Sequence, residues 1–137
     1  QIEAAASGLG EIAIANTYYL PRYAKDSDPA KQAIFEKIGV FFPNQDGRGT
    51  HVNISGAGVV KSAPNRENAV KFLEYLSSSS AQAFFAQGNN EYPVVEGTPV
   101  DPIVGAFGTF KADDVNVNLL GENQPEAVRI MDRAGWA

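Results

Sequence analysis

The sequence predicts an α/β protein. Short apolar stretches with the alternation typical of strands recur along the chain, and segments with helical periodicity and recognisable caps lie between them. The length of 137 residues is that of one ordinary domain, and 44% hydrophobic with 20% charged residues is typical of a globular protein. We therefore expect helices and strands packed around a common core.

The composition excludes several kinds of protein. The net charge is −5 and no Lys/Arg cluster marks a phosphate-binding face, so we expect no nucleic-acid partner. No apolar run approaches the roughly 20 residues that span a bilayer, so we expect no membrane insertion. The absence of cysteine excludes disulfides and thiolate metal sites, and a single histidine argues against the usual zinc sites.

The first elements are a helix end, a strand and a second helix. Residues 1–7 have the pattern of a helix that stops at a glycine, and residues 11–15 alternate like a strand. A loop then turns into a helix that Asn16 or Thr17 is suited to cap, with Pro21 in its first turn. Because the chain starts without a signal peptide or an initiator methionine, we interpret it as a piece of a longer protein.

The middle of the chain begins with the strongest capping signal. Asp28 followed by Pro29 predicts the start of a helix, and Gly39 predicts its end. Residues 40–43 and 51–55 then read as short strands on either side of an Asp-Gly turn.

Two further helices are predicted at residues 65–76 and 81–88, and the four serines at 77–80 stop the first and cap the second. One buried stripe of the first is expected to comprise Ala69, Phe72, Leu73 and Leu76. Residues 91–95 read as a strand, and its proline suggests an edge position.

A final helix is predicted from a capping box formed by Asn123 and Glu126. Its buried side is expected to comprise Val128, Ile130 and Met131, with Gly135 as its end.

Two adjacent tyrosines are the strongest candidate site. Tyr18 and Tyr19 lie in "AIANTYYLPRY", where an apolar run ends. In a regular strand their side chains would point to opposite faces, whereas at a strand-to-helix turn both phenol oxygens can converge. A phenol has a pKa near 10 and is protonated at neutral pH, but a highly charged cation displaces that proton. Ferric iron is the metal we expect at such a site; the alternative is two half-buried aromatic side chains that only pack.

The other candidates are weaker. His51 is the only imidazole, and we interpret it as a surface or hydrogen-bonding residue. Tyr23 is expected to pack against the same helix as the tyrosine pair, and Tyr75 and Tyr92 are expected to be structural.

At "IANTYYL" the sequence resembles the periplasmic ferric-iron-binding proteins that serve bacterial ABC importers. The segment "RGTHVNISGAGVVKSAPNRENAVKFLEYLSSSSAQAFFAQGNNEYPVV" is similar to the long signature block of that family, and "PEAVRIMDRAGW" looks like its final helix. The resemblance therefore extends over essentially the whole chain.

The resemblance implies a fold and indicates which part of that fold this chain forms. It implies the C-terminal part of a two-lobe periplasmic-binding-protein (type II) fold with hinge-crossing strands. Residues 1–49 would belong to the tyrosine-bearing lobe, 50–98 to the other lobe, and 99–137 to the return into the first. The N-terminal part of the same protein would be a partner that this chain needs to complete the fold.

The resemblance also implies a function without catalysis. Tyr18 and Tyr19 match the paired tyrosine ligands of Fe(III), and Asn16 matches a polar residue near the bound anion in anion-dependent members. The protein would bind ferric iron in the interlobe cleft, work in the periplasm and deliver the metal to an ABC transporter permease. The other protein ligands would lie upstream, and the use of a synergistic anion is left open.

Three alternatives are kept beside this reading. A sibling solute-binding protein could use the tyrosines to contact an anion, a polyamine or an organic ligand without metal. An enzyme could use a tyrosine as general acid, but it would need a base, and the sequence offers only His51. In a plain α/β interaction module the two tyrosines would only pack.

Overall fold

A computed structural model describes residues 1–136, which form seven α-helices and one short 3₁₀ helix. The α-helices are α1 (Ile2–Ala6), α2 (Leu20–Ala24), α3 (Pro29–Lys37), α4 (Arg66–Leu76), α5 (Ser79–Asn89), α6 (Pro102–Gly105) and α7 (Val117–Ala134). The 3₁₀ helix, Thr17–Tyr19, runs directly into α2.

The chain divides into two compact units. The first contains Gln1–Phe41 and Asn53–Thr109, and the second contains Phe42–Val52 and the chain from Phe110 onward. These units do not test the lobe boundaries expected from the resemblance, which stay a prediction.

Two of the predicted capping signals are confirmed, whereas neither Asn16 nor Thr17 caps α2 with its side chain. Asp28 caps α3 by accepting a hydrogen bond from the backbone N–H of Ala30 at 2.9 Å, and Pro29 is its first residue. Ser77 ends α4, and the hydroxyl of Ser78 accepts from the N–H of Ala81 to cap α5. The two predicted roles of the serine run, stop and cap, are therefore confirmed.

The start of α7 was predicted wrongly. The actual cap lies seven residues before the expected one, because the side chain of Asn116 accepts from the N–H of Asn118 at 2.9 Å and caps the helix there. The predicted capping box of Asn123 and Glu126 lies inside the helix, and Glu126 forms an ion pair with Arg129 instead. An Asn at a true cap and an Asn in a helix interior cannot be told apart by spacing alone.

The predicted strands do not form ladders within residues 1–136. They are the segments 11–15, 40–43, 51–55 and 91–95, and all four have an irregular backbone. A single bridge forms at Thr50, directly before the segment 51–55. A strand is held by a neighbour rather than by its own sequence, and the described residues offer these segments no partner strand. Their apolar side chains are correspondingly exposed: Ile12 and Ile14 are 88% and 77% accessible.

The expected apolar stripes of α4 and α7 are also less buried than predicted. Ala69, Leu73 and Leu76 are half-buried, whereas Phe72 is 58% exposed. On α7 the exposed or half-exposed residues include Val128, Ile130 and Met131. The periodicity correctly identified an apolar face in both helices, but the described residues do not cover either face.

The second unit is held by a parallel bridge between Thr50 and Ala112. The N–H of Thr50 donates to the carbonyl oxygen of Lys111 at 2.8 Å, and the N–H of Asp113 donates to the carbonyl oxygen of Thr50 at 2.8 Å. The side chain of Gln45 reinforces this pairing, because its Oε1 accepts from the N–H of Lys111 at 2.7 Å.

The core of the first unit lies behind the tyrosine pair, Tyr18 and Tyr19. Leu20 and Pro21, at the start of α2, are buried, as are Val104 of α6 and Ala81 and Ala86 of α5. α2 packs against α3 and against the 3₁₀ helix. Burial of Leu20 and Pro21 therefore anchors the C-terminal end of the turn that carries the two phenols.

Candidate metal site

The tyrosine pair lies on the 3₁₀ helix, and this local geometry brings the two rings together. Successive residues of a 3₁₀ helix are about 120° apart around the axis, compared with opposite faces in a strand. The ring centroids of Tyr18 and Tyr19 are 4.5 Å apart with an interplanar angle of 50°. Tyr19 is 41% exposed and Tyr18 is half-buried, so both hydroxyls are at the surface of the first unit.

The Tyr19 side chain affects the ionisation of Tyr18. The neighbouring phenol raises the pKa of Tyr18, and partial burial adds to the effect. The side-chain amide of Asn16 donates to the Tyr18 hydroxyl at 3.1 Å and acts in the opposite direction, as does the charge of Arg22. Tyr18 is therefore a neutral phenol at pH 7, and its oxygen accepts a hydrogen bond from Asn16.

Arg22 is a neighbour that the sequence reading missed. Its guanidinium carbon lies 5.1 Å from the centroid of the Tyr19 ring, within the distance of a cation–π contact. The signal was available, because Tyr19 and Arg22 are three residues apart, which places their side chains on one face of a helical segment. The arginine puts a permanent positive charge beside the place where negative phenolates would form.

An open cleft of about 550 Å³ lies next to the pair. Its polar lining is formed by the side chains of Gln1, Asn16, Tyr19, Arg22, Tyr23, Asp26 and Lys31. Two of the three residues predicted for the site, Asn16 and Tyr19, therefore line the cleft. The third, Tyr18, contacts both of them: its hydroxyl accepts a hydrogen bond from Asn16 and its ring packs against that of Tyr19. The lining carries two cations and one carboxylate, so its charge is net positive in a chain whose net charge is negative.

Tyr23 has a different role from the pair. Its hydroxyl donates to Oε1 of Glu3 at 3.1 Å, and Nζ of Lys31 lies 2.9 Å from the same oxygen. Burial, followed by this hydrogen bond, raises the pKa of Tyr23. The contact ties α2 to α1 and α3, in agreement with the packing role expected for this residue.

The remaining candidates make no described contact with the pair. His51 is exposed and belongs to the second unit, whereas the tyrosine pair belongs to the first. The hydroxyl of Tyr92 donates to the carbonyl oxygen of Val104 at 3.4 Å. In residues 1–136 no group of three or more His, Cys, Asp or Glu side chains could hold a metal ion.

A polar cluster around Lys25, one residue beyond α2, lies behind the pair. Nζ of Lys25 donates to Oδ2 of Asp101 at 2.9 Å, to the carbonyl oxygen of Gln87 at 3.2 Å and to Oδ1 of Asn90. Asn90 and Asp101 are both buried, with 4% and 6% of their surfaces exposed. We call these four residues the Lys25 cluster; no sequence motif pointed to it.

Asp101 makes the stability of this region dependent on pH. Burial alone would raise the pKa of Asp101, but hydrogen bonds from Lys25 and from the backbone N–H groups of Ile103 and Val104 outweigh it and hold the pKa below its usual value. A depressed pKa in the folded state contributes stability that is present above the unfolded pKa and is lost as the pH falls through the folded pKa.

We therefore expect the free energy of unfolding of the complete protein that carries this chain to fall as the pH drops below the ordinary pKa of an aspartate, about 4, and to fall less in an Asp101→Asn variant. Urea titrations at several pH values measure this difference, with the exposed Asp114→Asn as the matched control. Equal pH slopes for the wild type and Asp101→Asn would contradict the assignment.

The described residues contain no helix that is both long and apolar enough to cross a membrane. No protein-family model matches the chain. Iron uptake protein A2 of Synechocystis sp. is 55% identical over 138 residues, an alignment that covers 99% of this chain and 40% of that protein.

Two solved structures extend the likeness to three dimensions. The Trichodesmium protein IdiA (FutA), in complex with iron and citrate ligands, matches with a TM-score of 0.96 and 56% identity, over 100% of this chain and 43% of that one. The ferric binding protein from Campylobacter jejuni matches with a TM-score of 0.91 and 36% identity, over 100% of this chain and 43% of that one.

These comparisons confirm the resemblance to ferric-iron-binding proteins drawn from the sequence. They also confirm the predicted fold class, because the chain has the fold of part of these periplasmic-binding proteins (type II). The chain spans about 40% of the length of the curated relative it matches.

Proposed function

We propose that this chain is part of a solute-binding protein that binds ferric iron through the phenolates of Tyr18 and Tyr19 and delivers it to an ABC importer. One observation carries the proposal: the rings of Tyr18 and Tyr19 lie 4.5 Å apart at an exposed turn, with the permanent charge of Arg22 beside the Tyr19 ring. The similarity to a protein solved with iron and citrate supports the same metal.

The chemistry of the donor set fits Fe(III) as the transported ion. A hard, highly charged cation prefers oxygen donors and displaces their protons when it binds. The raised pKa of Tyr18 means that the metal, rather than the solvent, must drive that proton off. Arg22 and the amide of Asn16 favour the negative phenolate once it forms. Acid competes with the metal for the same oxygens and therefore weakens binding.

Two phenolates fill only part of the coordination shell of iron, so further donors come from elsewhere. In the two-lobe arrangement, residues 1–49 belong to the tyrosine-bearing lobe, 50–98 to the other lobe and 99–137 to the return. The missing N-terminal part of the same protein supplies ligands and covers the exposed apolar faces of α4 and α7. An anion that shares the metal is compatible with the cations Arg22 and Lys31 in the cleft lining.

The proposed protein works in the periplasm and is not an enzyme. Ferric iron binds more tightly to the closed arrangement of the two lobes than to the open one and therefore favours closure. The surface formed on closure docks on the permease. General acid catalysis by a tyrosine would need a base within hydrogen-bond reach. The described contacts of the Tyr18 side chain are with Tyr19 and the side-chain amide of Asn16, and neither group is a base at neutral pH.

The test is an absorbance titration of the complete protein with a ferric chelate. Binding of two phenolates is expected to give a visible iron–phenolate charge-transfer band that saturates at one ferric ion per protein. A folded protein that stays colourless overturns the proposal. If that colourless protein instead binds an anion, a polyamine or an organic ligand in calorimetry, the sibling solute-binding protein is the correct reading.

A further inference from the structure

The turn that carries the tyrosine pair is held at two points. At its C-terminal end, Leu20 and Pro21 are buried, and Lys25 follows directly after the last residue of α2. At the pair itself, the side-chain amide of Asn90 lies 3.5 Å from the carbonyl oxygen of Tyr18, close enough for a long hydrogen bond. The side-chain oxygen of Asn90 thus accepts a hydrogen bond from Lys25, and its side-chain nitrogen points toward the carbonyl oxygen of Tyr18.

Lys25 joins three chain segments at one atom. The ammonium group of a lysine has three donors, and all three are used: on Gln87 and Asn90 at the end of α5, and on Asp101 at the start of α6. Asp101 is held in turn because its Oδ1 accepts from the N–H of Ile103 at 2.9 Å. The lysine therefore ties α2 to two elements that are far away in sequence.

The contacts of Asn90 with Lys25 and Tyr18 are made from an unfavourable backbone conformation. Its φ of 61° places it in the left-handed region, which costs energy for residues other than glycine. Asparagine tolerates that region better than most residues, and in this position its side chain meets both Lys25 and the Tyr18 carbonyl. A glycine would adopt the backbone equally well but would make neither contact.

We propose that Lys25 is a positioning residue for the tyrosine pair, which acts through Asn90 to fix the turn so that both phenolates reach one ferric ion. This inference rests on the proposed function. Lys25 itself does not touch the metal, because its three donors are occupied within the cluster. Loss of its ammonium group leaves the buried oxygen of Asn90 without its charged donor, so the amide reorients and its hold on the turn is lost.

The experiment compares ferric titrations of the complete protein as wild type, Lys25→Met, Lys25→Arg and Asn90→Gly. Lys25→Met is expected to weaken ferric affinity about tenfold, in the range found for residues that support metal ligands. The charge-transfer band should also shift, since its energy depends on how the phenolates meet the metal. Lys25→Arg, which keeps a positive donor, should recover part of both effects. Lys71→Met removes a charge from the exposed face of α4 and should change neither.

Asn90→Gly keeps the experiment decisive if Lys25→Met does not fold. It preserves the left-handed backbone, removes both side-chain contacts and is expected to shift the band in the same direction. A folded Lys25→Met or Asn90→Gly variant with unchanged affinity and an unchanged band overturns the inference while the proposed function stands. A wild type without a coloured complex overturns the proposed function, and the positioning role falls with it.

Discussion

Replacing both Tyr18 and Tyr19 by phenylalanine is expected to abolish the coloured ferric complex and to weaken ferric affinity by more than about 100-fold. Even residues that only support metal ligands are worth about 10- to 100-fold in affinity, so loss of two direct donors should exceed that range. Phenylalanine keeps both rings, which touch at a centroid distance of 4.5 Å, and removes only the oxygens. Absorbance and competition with a ferric chelator measure the change.

The single variants separate the two phenols. Tyr19→Phe removes the phenol hydroxyl that raises the pKa of Tyr18, so the ionisation of Tyr18 in the metal-free protein should move to lower pH. Ultraviolet titration of tyrosinate formation detects that shift. Tyr75→Phe, on the exposed side of α4, is the matched control and should leave the ferric complex unchanged. A double variant that stays coloured would exclude the pair as the iron ligands.

Replacing Gly49 by alanine is expected to destabilise the protein by about 3 kcal/mol. Gly49 has φ of 102°, a region that L-residues with a side chain rarely adopt. An added Cβ would lie 2.6 Å from the carbonyl oxygen of Ala112 and 2.8 Å from that of Lys111. Both are backbone atoms at the bridge that holds the second unit, so relief of the clash requires the bridge to open.

Gly47→Ala is the matched control, because its added Cβ would come no closer than 3.8 Å to the carbonyl oxygen of Asn44. We expect it to change stability by less than about 0.5 kcal/mol. Chemical denaturation of the complete protein compares the two variants. Equal stabilities would mean that the chain at Gly49 tolerates a side chain and that the close approach to Ala112 is not maintained in solution.

Features that depend on adjacent residues were predictable from the sequence. Asp28 with Pro29 defines a helix start because a cap bonds to N–H groups only a few residues away. Gly135 defines a helix end because it is the residue that most readily adopts a left-handed backbone there. The tyrosine pair was found for the same reason, since its two members are neighbours and the turn between them is local.

Features that depend on distant partners were not predictable. The segment 11–15 has the alternation of a strand, but alternation does not specify which chain it pairs with, and within residues 1–136 it pairs with none. Lys25 has no distinguishing neighbour in the sequence, and its acceptors lie 62 to 76 residues further along. The contact between Arg22 and Tyr19 is an intermediate case. Their spacing of three residues is a local signal for this contact, but we did not predict the contact from it.

The separation between Lys25 and its acceptors also has a consequence for the entropy of the chain. Bringing Lys25 and Asp101 together closes a loop of 76 residues, which costs about 4 kcal/mol of chain entropy in the simplest treatment of flexible loops. The turn with the two phenols needs no such closure and can form from its own neighbours. A chain folded only locally would therefore present both hydroxyls without the constraint that fixes their relative geometry, and the rigid pair exists only after α5 and α6 have reached α2.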